Sequence, residues 1–394
     1  MPNMSGLRAT NPPMTIYLDN ASTSYPKPDA VYNRMVEFLR QSGANPGRSG
    51  HKMAIEAEHE IDLVRLKVAR LIRAKDPSHI VFTLNGTDAL NIGLKGILRV
   101  GDHVVTSALE HNSVSRPLET MQTEGLIDFN RVGFDASGVI SPDDIRKAIR
   151  SNTRLIVLTH ASNVLGTIQP IDEVAKIARE HDLLFLVDAA QTAGTLDIDV
   201  EASMIDLLAA PGHKSLLGPP GTGFLYTGPR AASVIRPVRV GGTGGDSSSR
   251  LQPQEFPFRL EGGTPNTAGI AGLGAAIDFI NERGMASIRH HELSLVNGLV
   301  DRLTTLPTAI TYPNGRAKDK VAVATFNLKG LTAAETGTIL DDSFDIAVRA
   351  GLHCAPFVHE SLGTMPDGTV RVSFGPFSII DDVDRLFDAL VQIS

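Results

Sequence analysis

Leu183-Leu184-Phe185-Leu186-Val187-Asp188-Ala189-Ala190-Gln191 decides the fold: an unbroken apolar run closed by a carboxylate and small residues. A run this short and this apolar reads as a strand buried on both faces. Ahead of it, Ile171–His181 carries Val174, Ile177 and Ala178 at helical spacing. The same alternation continues outward. Ile80-Val81-Phe82-Thr83, His103-Val104-Val105-Thr106 and Leu155–Thr159 read as strands, with helices expected over Ala89–Leu98 and from near Ser113. Ile205–Ala209 reads as the next strand after the decisive one. Apolar runs separated by amphipathic helices predict an α/β fold with a mostly parallel central sheet covered on both faces. In such sheets ligands sit beyond the carboxyl ends of the strands, so the polar residues there are where chemistry is expected.

The flanks are also patterned. Asp29–Gln41 and Lys52–Arg73 read as helices, the second with Ile55, Ile61, Val64, Val68 and Leu71 on roughly one face. Gly241–Arg250 is a Gly- and Ser-rich loop. Asn266–Asn281 and Ile288–Leu306 form an expected helix pair. Val321–Asn327, Ile346–Arg349 and Val370–Phe374 read as strands, interleaved with helices Ala333–Asp341 and Asp381–Ile393. The expected division is a loose tail over 1–15, a large domain over 16–265 and a smaller C-terminal α/β domain over 266–394. The N-terminal helices of the large domain are free to pack with the small one.

Composition narrows the function. At 394 residues, 42% hydrophobic and 21% charged, the chain has the balance of a globular protein, which excludes disordered, collagen-like and coiled-coil classes. A net charge of −7 argues against nucleic acid or an anionic membrane as partner. No apolar run approaches the ~18 residues of a membrane span, and the N-terminus lacks the apolar core of a secretory signal. The single cysteine, Cys354, excludes an internal disulfide and a cysteine-rich metal site, which suits a reducing cytoplasm. No set of His, Asp, Glu or Cys has metal-ligand spacing.

Three strand ends carry the chemistry. Gly86-Thr87 opens a helix, where free N–H groups and the helix dipole favour an anion, although an ordinary helix cap reads equally well there. Asp188 closes the decisive strand. Pro211-Gly212-His213-Lys214 follows the next one, backed by Gly218-Pro219-Pro220-Gly221-Thr222-Gly223, a run expected to make tight turns. A lysine there is either a surface charge or an amine held in a cleft to form a Schiff base. Pyridoxal phosphate needs an amine for its aldehyde, an acid at its pyridine nitrogen and a cradle for its phosphate. Lys214, Asp188 and the Thr87 helix start supply these three.

With those residues in view, the chain resembles the fold-type I, class-V aminotransferase superfamily. Within it, the chain resembles the cysteine desulfurases, most of all the branch with a short catalytic loop. The resemblance runs in order from about residue 16 to the C-terminus. It is carried by Tyr17–Thr23, Asn45–Arg48, Glu110-His111-Asn112, Thr159–Thr167, Asp188–Gln191, Gly212-His213-Lys214, Gly263–Thr267 and Arg349–Pro356. It implies that Lys214 holds the pyridoxal 5'-phosphate aldehyde, Asp188 the pyridine nitrogen and Gln191 the phenolic oxygen, with His111 stacked on the ring. Gly86, Thr87 and His213 would bind phosphate, joined by Thr264 from the other subunit of a homodimer. Asn163 and Arg371 would grip the substrate carboxylate. Cys354 would accept sulfur from L-cysteine, releasing L-alanine, and pass it to a carrier protein or small thiol for iron–sulfur, thiocofactor or selenium pathways. His353 beside it would favour the thiolate. Arg48 and His51 are further candidates for the pocket, and His359 reads as a packing residue.

One departure concerns the phosphate. Where the family has a hydroxyl residue two before the histidine, this chain has Pro211, which also lacks an N–H. Ser247, Ser248 and Ser249 are the expected substitutes. Three alternatives stay open at this point: a selenocysteine lyase acting on L-selenocysteine, a true aminotransferase and a non-catalytic scaffold.

Overall fold

The computed structural model describes residues 15–47, 50–243, 248–313 and 319–394. The tail before residue 15, Arg48 and Ser247 lie outside the described residues. Among the described residues, the central sheet has seven strands. Their spatial order is Ile80–Thr83, Gly223–Thr227, Leu207–Pro211, Leu184–Asp188, Thr153–Thr159, Asp102–Ser107, Ile127–Val132. Gly223–Thr227 runs antiparallel to both neighbours, and the other pairings are parallel.

The apolar runs behave as period-2 strands between two layers. Leu155, Val157, Leu184 and Leu186 face a core shared with helices Gly86–Ile97 and Asn112–Thr123. Their neighbours Ile156, Leu158, Phe185 and Val187 face the opposite core, shared with helices Lys52–Leu71, Ile171–Glu180 and Thr267–Arg283. Alternate residues of one strand point to opposite faces, so a strand apolar throughout must be covered twice. Each fully buried Leu, Val or Phe contributes ~1.5–3 kcal/mol relative to exposure.

Two strands of the central sheet escaped the pattern. Ile127–Val132 is an edge strand with Asp128, Asn130 and Arg131 inside it, so no apolar run marks it. Gly223–Thr227 sits directly behind the Gly–Pro turns that masked it. The strand expected over Ile205–Ala209 spans Leu207–Pro211 instead, placing Pro211 in the sheet opposite Gly223.

A second, antiparallel sheet orders Arg349–Gly351, Thr369–Ser373, Val323–Leu328 and Ala309–Tyr312. Helices Met285–Leu303, Ala333–Phe344 and Ile380–Ile393 close its core. Helix Thr267–Arg283 sends Ile270, Leu273 and Ile277 into the larger core. Strand Ile16–Tyr17 pairs in parallel with Ile346–Ala347, so the first described residues are stitched to the C-terminal unit. Among the described residues, no helix is long and apolar enough to cross a membrane.

In register, Thr159 stands opposite Asp188 and Asp188 opposite Ala209, so these strands end on a common rim. The second sheet brings Arg371 and the Arg349–Cys354 segment over that rim.

Candidate active site

Ten residues singled out in the sequence line one cavity of about 220 Å³: Gly86, Thr87, His111, Asn163, Asp188, Gln191, His213, Lys214, Cys354 and Arg371. A larger cleft, about 390 Å³, lies elsewhere and is lined by Asn45, Gly263, Thr264 and Asn266 among others. Thr264 therefore does not reach the Lys214 cavity of its own chain. Ser248 and Ser249 do not line that cavity either. His51 is exposed, caps its helix with Nδ1 accepting the Ala54 N–H at 3.2 Å, and does not line the Lys214 cavity of its own chain.

The floor comes from the strand ends. Asp188 is buried, and its Oδ1 accepts the Ala190 N–H at 2.9 Å. Burial pushes its carboxyl up, while that N–H and the Lys214 charge pull it down. Lys214 is half-buried and lines the cavity. Burial lowers its amine to about 8 against the pull of Asp188, with Arg371 and Arg349 adding to the lowering. Gln191 donates through Nε2 to Ala21 O at 3.1 Å. Gly212 must be glycine, since an added Cβ would stand 2.1 Å from Thr222 Oγ1.

The His213 carbonyl fixes the lysine's backbone. It accepts from Thr23 Oγ1 at 3.1 Å, Ser24 N at 3.0 Å and Lys27 Nζ at 2.8 Å. Lys27 is buried, which lowers its amine to about 8. Burial, Lys214 and Lys27 together lower the His213 ring to about 4, so it stands neutral at neutral pH.

Two helix starts frame the open end. Asn85, rather than Thr87 or Asp88, caps helix Gly86–Ile97 by accepting the Asp88 N–H at 2.9 Å. This leaves the Thr87 hydroxyl to meet Ser113 Oγ at 2.7 Å. His111 caps helix Asn112–Thr123, Nδ1 accepting the Ser113 N–H at 3.1 Å. Burial, Lys214 and the nearby arginines lower its ring to about 3. Beneath it, buried Glu110 accepts Ser107 Oγ at 2.6 Å and the Thr159 N–H at 3.0 Å, tying two strand ends together.

The roof belongs to the second sheet. Arg371 is buried and donates to Asp19 Oδ1 at 2.7 Å, Ser22 Oγ at 2.7 Å and Asn163 O at 3.0 Å. Its Nε is buried without a partner among the described residues. Asn163 Nδ2 donates to His353 O at 2.7 Å, and the Asn112 N–H donates to Cys354 O at 2.7 Å. These bonds pin the cysteine loop, in which His353 and Cys354 both hold left-handed φ values of 51° and 58°. Cys354 is half-buried.

The group beside the sulfur is not the expected one. His353 is buried, its Nε2 paired with Thr369 Oγ1 at 3.0 Å, and burial with the arginine charges keeps the ring neutral. Arg349 Nη2 instead stands 3.6 Å from Cys354 Sγ, its Nη1 on Ser22 Oγ at 2.7 Å. Arg349, Ser22, Asp19, Lys27, Glu110 and Ser113 were not foreseen as working residues. Asp19, Ser22, Glu110 and Arg349 lie inside the motifs that carry the resemblance, the available signal; Lys27 and Ser113 had none.

This donor set fits pyridoxal phosphate. A lysine amine held near 8 is nucleophilic close to neutral pH, a buried carboxylate shares its cavity, and a glycine-led helix start opens on the same space. The Gly86 cradle is tight: an added Cβ would stand 3.1 Å from Pro211 Cδ.

Comparison with known proteins agrees with this arrangement. The family model for aminotransferase class-V matches residues 16–386. A probable cysteine desulfurase of Methanothermobacter thermautotrophicus is 36% identical, with 96% of this chain and 94% of the relative aligned. A cysteine desulfurase of Yersinia pseudotuberculosis is 33% identical, covering 98% and 95%. An apo structure of a cysteine desulfurase from Thermococcus onnurineus NA1 superposes with a TM-score of 0.90 at 34% identity, covering 96% and 94%. The cysteine desulfurase CsdA from Escherichia coli gives 0.87 at 29%, also covering 96% and 94%.

Proposed function

This chain belongs to the class-V aminotransferase family, among its cysteine desulfurases, and from that premise we propose how its own residues convert L-cysteine to L-alanine. Pyridoxal phosphate, when bound, supplies an aldehyde for the substrate amine and a sink for the electrons released at Cα. Lys214 and Asp188 would hold it, with Gln191 and His111 beside its ring and Gly86, Thr87 and His213 at its phosphate. Arg371 grips the substrate carboxylate with Asn163. Lys214 Nζ takes the Cα proton as general base, a role suited to an amine held at about 8. Cys354 Sγ attacks the substrate sulfur, the Cβ–S bond breaks, and Cβ ends as the alanine methyl. The balance is cysteine plus thiol to alanine plus persulfide, with no outside oxidant. Arg349 orients the attacking sulfur from 3.6 Å.

The observation that carries this reading is the convergence of Lys214, Asp188, Arg371 and Cys354 on one cavity. It is tested by adding L-cysteine with a thiol reductant and no keto acid to the protein loaded with pyridoxal phosphate. Equal alanine and sulfide support it. Amino transfer only when a keto acid is present would favour an aminotransferase, and faster turnover of L-selenocysteine a selenocysteine lyase.

The finer reading is a cytoplasmic homodimer in which Thr264 of each subunit completes the partner's phosphate site. The exposed Thr87, the open 390 Å³ cleft at Thr264 and exposed Tyr32, Val36, Met53 and Ile55 support it. The domain boundary is best drawn at Gly284, since helix Thr267–Arg283 packs in the larger core. The persulfide sulfur passes to a carrier protein or small thiol serving iron–sulfur assembly.

A further inference from the structure

The phosphate end of the cavity has an unassigned donor. Strand Leu207–Pro211 delivers a proline there, which brings neither a hydroxyl nor an N–H. Four hydroxyl side chains line the cavity: Ser22, Thr87, Thr159 and Ser113. Ser22 gives its proton to Asp19 Oδ1 at 2.7 Å, and Thr159 gives its to Ala161 O at 2.9 Å. Thr87 and Ser113 meet only each other, at 2.7 Å, and the His111 ring, 2.8 Å from Ser113 Oγ. The His111 Nδ1 lone pair is already used by the Ser113 N–H at 3.1 Å. The Ser113 hydroxyl proton has Nδ1 and Thr87 Oγ1 as alternative acceptors, and it can turn from them to an anion because the Ser113 N–H keeps hold of the Nδ1 lone pair. The same bond leaves the ring proton of His111 on Nε2.

Resting on the pyridoxal phosphate reading, we propose that Ser113 is a phosphate-binding residue, supplying from the Asn112–Thr123 helix the hydroxyl donor that Pro211 does not bring. Ser113 and Thr87 then act as a hydroxyl pair, one on each of two helix starts that meet at the cavity's open end. Because Ser113 also touches His111, it joins the phosphate end of the site to the ring-stacking residue.

The test is titration of the apoenzyme, followed by cofactor absorbance, with two probes: pyridoxal phosphate and pyridoxal, which lacks the phosphate. Ser113→Ala is expected to weaken pyridoxal phosphate by about tenfold or more, the worth of a hydrogen bond to a charged group. Pyridoxal should change by less than about twofold, and Ser113→Thr, which keeps the hydroxyl, should stay near wild type. Pro211→Ser added to Ser113→Ala restores a hydroxyl from the strand side and should recover most of the loss. Unchanged pyridoxal phosphate affinity in Ser113→Ala, equal losses for both probes, or no recovery in the double variant would each overturn the assignment. Wild-type apoenzyme that binds no pyridoxal phosphate would instead overturn the functional reading on which it rests.

Discussion

Glu110 allows a worked prediction. Its carboxyl is fully buried between two strand ends, with Oε1 holding Ser107 and Thr159 and Oε2 without a partner among the described residues. Burial pushes it up to about 8 from an ordinary 4.5, with the Asp188 charge adding, against two hydrogen bonds that favour the anion. Between those values the folded chain holds a proton that the unfolded chain has lost. Stability then falls by about 1.4 kcal/mol per pH unit. The contribution is fully present below 4.5 and lost as pH rises through about 8, in total about 5 kcal/mol. Glu110→Gln mimics the protonated form, keeps an acceptor for Ser107 and Thr159, and does not titrate. Its extra unpaired amide hydrogens cost ~1–3 kcal/mol at any pH. Urea unfolding of both apoproteins at one protein concentration, at about pH 5 and about pH 8, isolates the term, because the other groups largely cancel. The variant should start level or weaker and gain about 3–4 kcal/mol on wild type across that span. Parallel pH profiles for the two proteins would refute the buried, protonated carboxyl.

Five further outcomes follow from the site. The rate at which apoprotein captures pyridoxal phosphate should rise with pH and level off above about 8, as Lys214 loses its proton; stopped-flow absorbance reads this. Arg371→Lys keeps the charge but loses the fork, so KM for L-cysteine should rise about 10- to 100-fold with the cofactor band unchanged. Cys354→Ala should keep that band and lose sulfide release; sustained turnover on L-cysteine would remove the nucleophile assignment. Sedimentation should give a dimer, and Thr264→Ala should release cofactor faster than wild type in a dilution assay.

Much of this was legible because the decisive signals are local. Leu183–Val187 is apolar throughout, and a strand of that kind has to be covered on both faces, which fixes Asp188 at the rim. The Thr87, Asp188 and Lys214 segments each follow such a run, so their convergence could be read without coordinates. Pairing is a different matter. Gly223–Thr227 is a strand only because Leu207–Pro211 and Ile80–Thr83 lie on either side of it, and Ile127–Val132 only because it closes an edge. The cysteine loop shows the same limit. His353 adjoins Cys354 in the chain, yet two consecutive left-handed residues turn its ring down onto Thr369. The cation that meets the sulfur comes from Arg349, on a strand paired with Thr369–Ser373. Lys27 and Ser113 gave no sign, since a buried lysine on a carbonyl and a serine between two hydroxyl-accepting neighbours are properties of packing.

The most direct measurement is a single turnover with L-cysteine in the absence of reductant, followed by alkylation and mass spectrometry of the peptide containing Cys354. The expected result is one added sulfur atom on Cys354 for each alanine formed. Alanine released with Cys354 unmodified would contradict transfer to this residue.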